Sequence, residues 1–514
     1  MAAVLRTFGQ TATKPRASTE SADESTAPTG SGRTPGSTRA VERLPGWVLT
    51  YAPSVLPAVL MLVVGRYRLG APSLGWDENA TWLASHRSFS QLVGLAGNFD
   101  GVIAPYYMFM RVWTSIFGDS ELALRTPSLL AMAVGVGLTG ELGRRLFTPG
   151  VGLLGGLMLI TVPQMSRYAQ DARVYGLAFM LTTLSTLLFY LALRRPSWAR
   201  WIGYGVVVTL AGLAHIFGLL VLVGHAFAVG VRWWAGRDRA LLRWLVVTAV
   251  AVLPVLPLVG LGLTQRGDQL DWIGPMRVGQ VLTSPGDIFG SAAVGLFLIG
   301  LAYAARWPDG RLVGDFAVLV AAPPALLIGA SFVTSPVWVP RYVMFVLPMI
   351  ALLAAAALRG FRLRALLAVL LAAALGLPAQ REVRGAASHH GPDFRAAAAI
   401  IAAHRQPGDG IVYGRTGTWS LRAGADYYLR DRTSPRDLLL TRPAAEVNQL
   451  GAEQCADQVA CVGATRRIWL LKLWRSGSPL DDAGPLAATL GTDYRQAGVW
   501  KAAKVTIVLY ERRG

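Results

Sequence analysis

The sequence predicts an α-helical membrane protein of about eleven transmembrane helices, followed by a small α/β domain. Two observations carry this. The 514 residues are 53% hydrophobic and only 15% charged, with a mean hydropathy of +0.42, more apolar sequence than one soluble core would use. That apolar character ends near residue 380, where mixed polar sequence begins.

Residues 1–43, rich in Ser, Thr, Pro, Gly and Ala, cannot bury enough apolar surface to fold and are expected to form a disordered cytoplasmic tail. Apolar runs able to cross about 30 Å of hydrocarbon at 1.5 Å per residue then lie near 47–66, 126–146, 150–166, 174–193, 202–214, 217–234, 243–263, 287–305, 314–333, 341–358 and 363–379. The run ending at His215 is short and needs a contribution from its flanks. A long polar tail precedes the first run, unlike a cleaved signal peptide, so that run is expected to stay as an anchor.

Charge sets the expected topology, because cytoplasmic loops hold the excess of Arg and Lys. With the N-terminus inside, the cytoplasmic loops carry RRLF, RRPSWARW, RWWAGRDRALLR, RWPDGR and RGFRLR. The alternate loops hold Asp77, Glu78, Asp100, Asp119, Glu121, Asp171, Asp268, Asp271 and Asp287. An odd number of spans puts residues 381–514 outside the cell membrane and leaves 44–380 as the transmembrane domain. The net charge of +19 would suggest nucleic acid in a soluble protein. Here the basic residues sit mainly at membrane edges and in the tail, so the expected partner is membrane lipid and not nucleic acid. Nearly all are Arg, a bias that fits a high-GC bacterial genome.

Three outer segments concentrate chemistry. The first and second runs are separated by about sixty residues, long enough to be a functional element. This segment opens on GWDENATW, with adjacent carboxylates Asp77 and Glu78. It continues through PYY (Pro105, Tyr106, Tyr107), with Phe109, Met110, Trp113, Ile116 and Phe117 at helical spacing. One or two amphipathic helices along the membrane surface would satisfy that pattern. The second segment, SRYAQDARVYG, carries Tyr168, Asp171, Arg173 and Tyr175. Asp171 has two readings, a cap at the start of the next helix or a wall residue of a polar cavity. The third, SPVWVPRYVMFVLP, places Arg341 and Tyr342 at the outer start of a span, with Arg341 either a snorkelling anchor or a phosphate ligand.

In order, spacing and expected sidedness, WDEN at 76–79, PYY at 105–107, RYAQDARVYG at 167–176 and PRYVMFVLP at 340–348 resemble the GT-C superfamily of integral-membrane glycosyltransferases. The similarity is to bacterial relatives of protein O-mannosyltransferases and aminoarabinose transferases, over roughly residues 45–380. Many relatives carry a His and a further Pro ahead of PYY, where this chain reads DGVIAPYY. The resemblance implies transfer of a sugar, with inversion, from a polyprenyl-phosphate sugar to an acceptor hydroxyl on the extracytoplasmic face. It carries the first-loop acid over to Asp77 as the catalytic residue, with Glu78 completing the pair. Mannose is the first expectation for the sugar and arabinose the next. The acceptor is a glycan, glycolipid or protein.

The chemistry gives those residues work. A hydroxyl is a poor nucleophile at neutral pH, so a carboxylate within reach must take its proton, a contribution of order 10²–10⁴ in rate. Asp77 is the expected general base, ahead of Glu78 and Asp171. The departing phosphate needs a cation, for which Arg341, with Tyr342 beside it, comes first and Arg173 next. Asp171, Tyr106, Tyr107 and Tyr175 are the expected substrate contacts. No cofactor is expected and no metal ligands are assigned, with a divalent metal requirement left open by the sequence. His215 and His225 read as packing histidines, His389 and His390 lie in a linker, and no spacing resembles a metal triad. Asp268, Asp271 and Trp272, in TQRGDQLDWIGPM, read as turn residues before acceptor contacts.

After residue 380, a helix starting near Asp393 and stopping at Pro407 and Gly408, with strands at GIVYG, RIWLLKLW and VTIVLYERR, predicts a small α/β domain. Cys455 and Cys461 share that oxidising side and are expected to pair. A transporter or flippase of a lipid-linked saccharide would also carry many spans and buried polar groups. The informative acids here gather in outer loops, and no GxxxxGK phosphate loop occurs. A non-catalytic assembly protein is the third reading.

Overall fold

The computed structural model describes residues 46–236, 239–430, 434–474 and 477–514. The tail read as disordered, 1–43, lies outside them.

Each predicted apolar run holds helix. Among the described residues, seven helices are long and apolar enough to cross a membrane: Glu121–Leu146, Tyr175–Arg194, Ile216–Gly236, Ala240–Thr264, Gly310–Val333, Pro340–Ala357 and Arg362–Glu382. Two pairs pass only together and raise the number to nine. Pro149–Thr161 with Pro163–Ala169 bends by 73° at a proline, which has no N–H to continue the ladder. Val278–Phe289 with Ala292–Tyr303 turns by 90° at Gly290, whose φ of +72° closes the first helix in the left-handed region. Trp198–Ala214 is apolar but shorter. Among the described residues, seven to nine helices thus meet the length and apolarity of a span where the sequence predicts eleven runs, because proline and glycine break two runs and Trp198–Ala214 is short, while the first run holds the 21-residue helix Gly46–Arg66.

Apolar side chains such as Val59, Ile202, Leu242, Val246 and Leu367 stand exposed on these helices, as a lipid-facing surface requires. The polar network of His225 lies inside, with Tyr204 Oη 3.0 Å from Nδ1 and Thr186 Oγ1 3.3 Å from Nε2.

After α1 (Gly46–Arg66), the first loop folds into three helices instead of one or two: α2 (Trp76–Ser85), α3 (Phe89–Asn98) and α4 (Ala104–Phe117). Ser88 caps α3, accepting from Gln91 N–H at 3.2 Å, while the Gln91 side chain accepts from Ser88 N–H at 3.0 Å. α4 buries Tyr106, Tyr107 and Met110 and exposes Phe109, Ile116 and Phe117, an amphipathic division. The chain then enters the long, largely buried α5 (Glu121–Leu146).

The C-terminal α/β region is built on a five-stranded sheet. Its strands are β1 (Gly410–Tyr413), β2 (Arg436–Asp437), β5 (Arg467–Leu473), β6 (Tyr494–Ala502) and β7 (Val505–Arg512), in the order β2-β1-β5-β7-β6. β1 is parallel to β2 and β5, while β7 runs antiparallel to β5 and β6. Alternation divides the sheet: Ile411, Trp469 and Leu471 pack with helices Phe394–His404 and Thr418–Leu429 on one face. Val412, Ile468 and Leu470 pack with Leu486 and Leu490 on the other. A small ribbon of β3 (Leu440–Arg442) and β4 (Glu453–Gln454) lies apart, and Cys455 beside it is joined to Cys461.

Helix Thr418–Leu429 seats this domain on the first loop. Asn79 Nδ2 donates to Ser420 Oγ at 3.2 Å, Leu74 N–H to Tyr428 Oη at 2.9 Å, and Trp82 meets Tyr427 edge to face at 5.3 Å.

Candidate active site

Where α2 meets the 3₁₀ turn at Pro340–Val346 and the connection around Arg173, the chain encloses a cavity of about 930 Å³. Most of its wall is apolar and aromatic. The polar exceptions that converge on one end are Asp77, Asp100, Arg173, Arg341 and His390.

Asp77 stands in the first turn of α2 with its side chain 41% exposed to this space. Arg341 Nη2 is 3.7 Å from its Oδ2. Burial pushes the Asp77 carboxyl upward, but Arg173 and Arg341 more than offset that, so it sits below its ordinary value and is ionised at neutral pH. Arg341 is held by aromatic faces, 5.4 Å from the ring centre of Tyr175 and 5.3 Å from that of Trp272. Arg173 Nη1 donates to Tyr107 Oη at 3.1 Å, and Tyr107 in turn donates to Asp100 Oδ2 at 2.6 Å. Arg341 Nε and Arg173 Nε are both buried and have no hydrogen-bond partner among the described residues. Buried N–H groups without partners are rare, and two guanidinium groups in this condition at one end of a cavity have the donor chemistry that an anionic ligand would satisfy.

Glu78 does not face the cavity. It is fully buried, and both carboxylate oxygens are saturated. Arg125 donates from Nε to Oε1 at 2.7 Å and from Nη2 to Oε2 at 2.8 Å. The N–H groups of Ala172 and Gly75 add bonds at 3.0 and 2.9 Å, and His389 Nδ1 lies 2.9 Å from Oε2. Burial raises this acid too, but Arg125 first and His389 next hold it well below the usual carboxylate range. Burial among cationic neighbours pushes His389 down to about 3, so its ring is neutral. Gly75 permits the arrangement: a Cβ there would lie 1.7 Å from the His389 carbonyl oxygen. Glu78, the expected alternative to Asp77 as base, has no free lone pair directed at the cavity in this geometry.

The other expected residues divide. Tyr175 and Tyr342 line the cavity, with Tyr342 against His215 at 4.8 Å between ring centres. Asp271 and Trp272 line it as well. Tyr107 stands behind it, orienting Arg173, and Tyr106 is buried within α4 away from the lining. Asp171 is buried beneath, 3.7 Å from Arg167, and burial pushes its carboxyl up to about 6 despite that neighbour. Cys455 and Cys461 take no part in the lining.

Sequence reasoning missed Arg125, Asp100 as a cavity residue, and His389 as a partner of Glu78. Arg125 left a signal, since a charged residue entering an apolar run demands a buried partner. Glu78, Asp171 and His389 present ligand atoms within 4.8 Å of one another, the described cluster able to hold a metal ion. Arg125 already supplies the positive charge to Glu78 in that cluster.

Residues 104–259 match the family model described as dolichyl-phosphate-mannose-protein mannosyltransferase. The chain is 27% identical over 233 residues to undecaprenyl phosphate-alpha-4-amino-4-deoxy-L-arabinose arabinosyl transferase 1 of Pseudomonas fluorescens, a match covering 43% of this chain and 40% of that protein. It is also similar to two crystal structures of ArnT from Cupriavidus metallidurans. The structure bound to undecaprenyl phosphate superposes with a TM-score of 0.55 at 15% identity, covering 91% of this chain and 98% of the other. The apo structure gives 0.57 at 15% identity, covering 90% and 98%. The helical architecture and these likenesses agree on the fold: the chain shares the fold of the two ArnT structures.

Proposed function

We propose that the protein transfers a sugar from a polyprenyl-phosphate donor to an acceptor hydroxyl at the extracytoplasmic membrane surface. The observation that carries this reading is the unsaturated Asp77 carboxylate beside two guanidinium groups with unpartnered N–H groups, at one end of a large apolar cavity. Apolar walls suit a prenyl chain, and the charged end suits its phosphate. Arg341 and Arg173 hold the phosphate and stabilise the charge that grows on it as the anomeric bond breaks, while Tyr342 packs beside Arg341. Asp77 takes the proton of the attacking hydroxyl. One displacement inverts the anomeric centre. Glu78 acts as a positioning residue, holding the start of α2 so that Asp77 points into the cavity.

The sidedness rests on the excess of Arg in the loops on the side opposite α2, which puts α2 and the C-terminal domain outside and the N-terminus inside. Mannose is our first choice of sugar, supported by the description of the matching family model. The name of the curated relative favours an aminoarabinose unit as the second. The test is to incubate purified protein with a panel of polyprenyl-phosphate sugars and a membrane glycolipid extract, and to seek a mass increment of one sugar. An increment with one donor, lost in Asp77→Asn, is expected. Movement of lipid-linked sugar across vesicles without any increment would establish the flippase instead.

A further inference from the structure

A second cleft, of about 380 Å³, opens on the C-terminal domain and shares two tryptophans with the main cavity: Trp76 and Trp419 line both. Trp76 precedes Asp77 directly in the chain, so the wall the two spaces share lies next to the Asp77 carboxylate. The two indoles meet edge to face with ring centres 6.5 Å apart, a rigid aromatic corner. Gly417 makes that corner fit. Its φ is +69°, and a Cβ there would come within 2.9 Å of the Trp76 ring.

The polar lining of the cleft is cationic. Arg415 and Arg422 line it together with Thr418 and Gln454, and among the described residues no Asp or Glu does. Arg415 is exposed and makes no ion pair among the described residues. Arg422 is only 6% exposed and is fixed in place: its Nε donates to Asp437 Oδ2 at 2.6 Å, and its guanidinium lies 5.1 Å from the Tyr413 ring centre. Its Nη2 is nonetheless buried without a partner. Three carboxylates stand near: Asp437 pairs with Arg422 and accepts from Leu439 N–H, Asp482 accepts from Thr416 through Oδ1 while its Oδ2 is buried without a partner, and Asp426 interacts with Arg422 electrostatically. Two cations, one with a buried spare N–H, beside an aromatic corner match a sugar ring that carries an anionic group.

We propose that this cleft binds an anionic saccharide unit, bearing phosphate or carboxylate, of the acceptor whose hydroxyl reaches Asp77. The proposal rests on the transfer reading above and gives the acceptor its chemical class. The aromatic corner receives the apolar face of the ring, and Arg415 and Arg422 receive the anion.

The test measures binding by calorimetry to the full-length protein in detergent, with no donor present. The probes are cellobiose, cellobiose phosphate and cellobiouronic acid. At least one charged disaccharide should bind about tenfold tighter than cellobiose, the ratio that 1.4 kcal/mol represents. Trp419→Ala should weaken all three, and Arg415→Gln, on an exposed side chain, should bring the charged probes down to the level of cellobiose. Asp77→Asn should leave every affinity unchanged, and absence of any transfer by the unaltered protein with these affinities intact would count against the transfer reading alone. Equal binding of neutral and charged probes, no binding of any, or charged-probe binding that survives both variants overturns the proposal.

Discussion

Asp77 and Glu78 are neighbours on α2, about 100° apart around the helix, and their surroundings are opposite. Glu78 meets five donor groups, from Arg125 twice, Gly75, Ala172 and His389, in a dry knot tying α2 to α5, to the Arg173 connection and to the linker of the C-terminal domain. Asp77 has one loose ion pair at 3.7 Å and an open face. Both are acids held below their ordinary range by arginines. What separates them is saturation: a carboxylate whose lone pairs are all engaged holds structure, and one left free can accept a proton.

Breaking the open side should have the largest effect on rate. Asp77→Asn should lower kcat in the transfer assay by roughly 10²–10⁴ while the melting temperature in detergent stays unchanged. A normal rate would remove Asp77 from the base role.

The saturated side should respond in stability first. Glu78→Gln leaves Arg125 as an uncompensated buried charge, a loss of about 3–5 kcal/mol. The measurement is thermal denaturation in detergent. Adding Arg125→Met to Glu78→Gln should recover part of that loss, since the stranded charge is then gone. An undisturbed melting temperature in Glu78→Gln, with activity abolished, would reverse the roles assigned to the two acids.

This contrast also shows what could be read from the sequence. The spans were legible because apolar runs of membrane length leave little choice of structure, and Asp77, Arg173, Tyr175, Arg341 and Tyr342 were legible as polar residues at span ends. Their convergence on one cavity is a property of packing. The role of Glu78 was hidden because its partners come from 47 and 311 residues away in the chain. β6 was also missed: most of its residues are exposed, so RQAGVWKA shows no alternation to find. The bends at Pro163 and Gly290 were written in the residues but masked by the hydropathy on either side.

The anion end sharpens the open side further. Arg341→Lys keeps the charge but loses the planar fork and its stacking on Tyr175 and Trp272, so kcat should fall about tenfold with donor KM raised. Arg173→Lys should do less, because Tyr107 and the Asp77 carbonyl already engage one of its nitrogens. Steady-state kinetics with varied donor separates the two.

The smallest expected change is the most discriminating, because it asks whether the base is Asp77 or the buried Asp171. The two acids are displaced in opposite directions. Asp77 lies below its ordinary value of 3.8, since Arg173 and Arg341 outweigh burial, and remains a base as pH falls through 6 and 5. Asp171 is pushed up to about 6 because burial outweighs Arg167, and would lose its base form over that interval. The donor phosphodiester keeps a single charge throughout, so it adds no titration of its own. kcat/KM, which reports the free enzyme, should therefore change by less than about twofold between pH 7 and pH 5 and fall only below pH 4. A drop of about tenfold between pH 7 and pH 5 would move the base to Asp171. In the bound state the donor phosphate screens the two arginines from Asp77, so the acid limb of kcat should lie at higher pH than that of kcat/KM. That ordering requires the base and the phosphate ligands to share one end of the cavity.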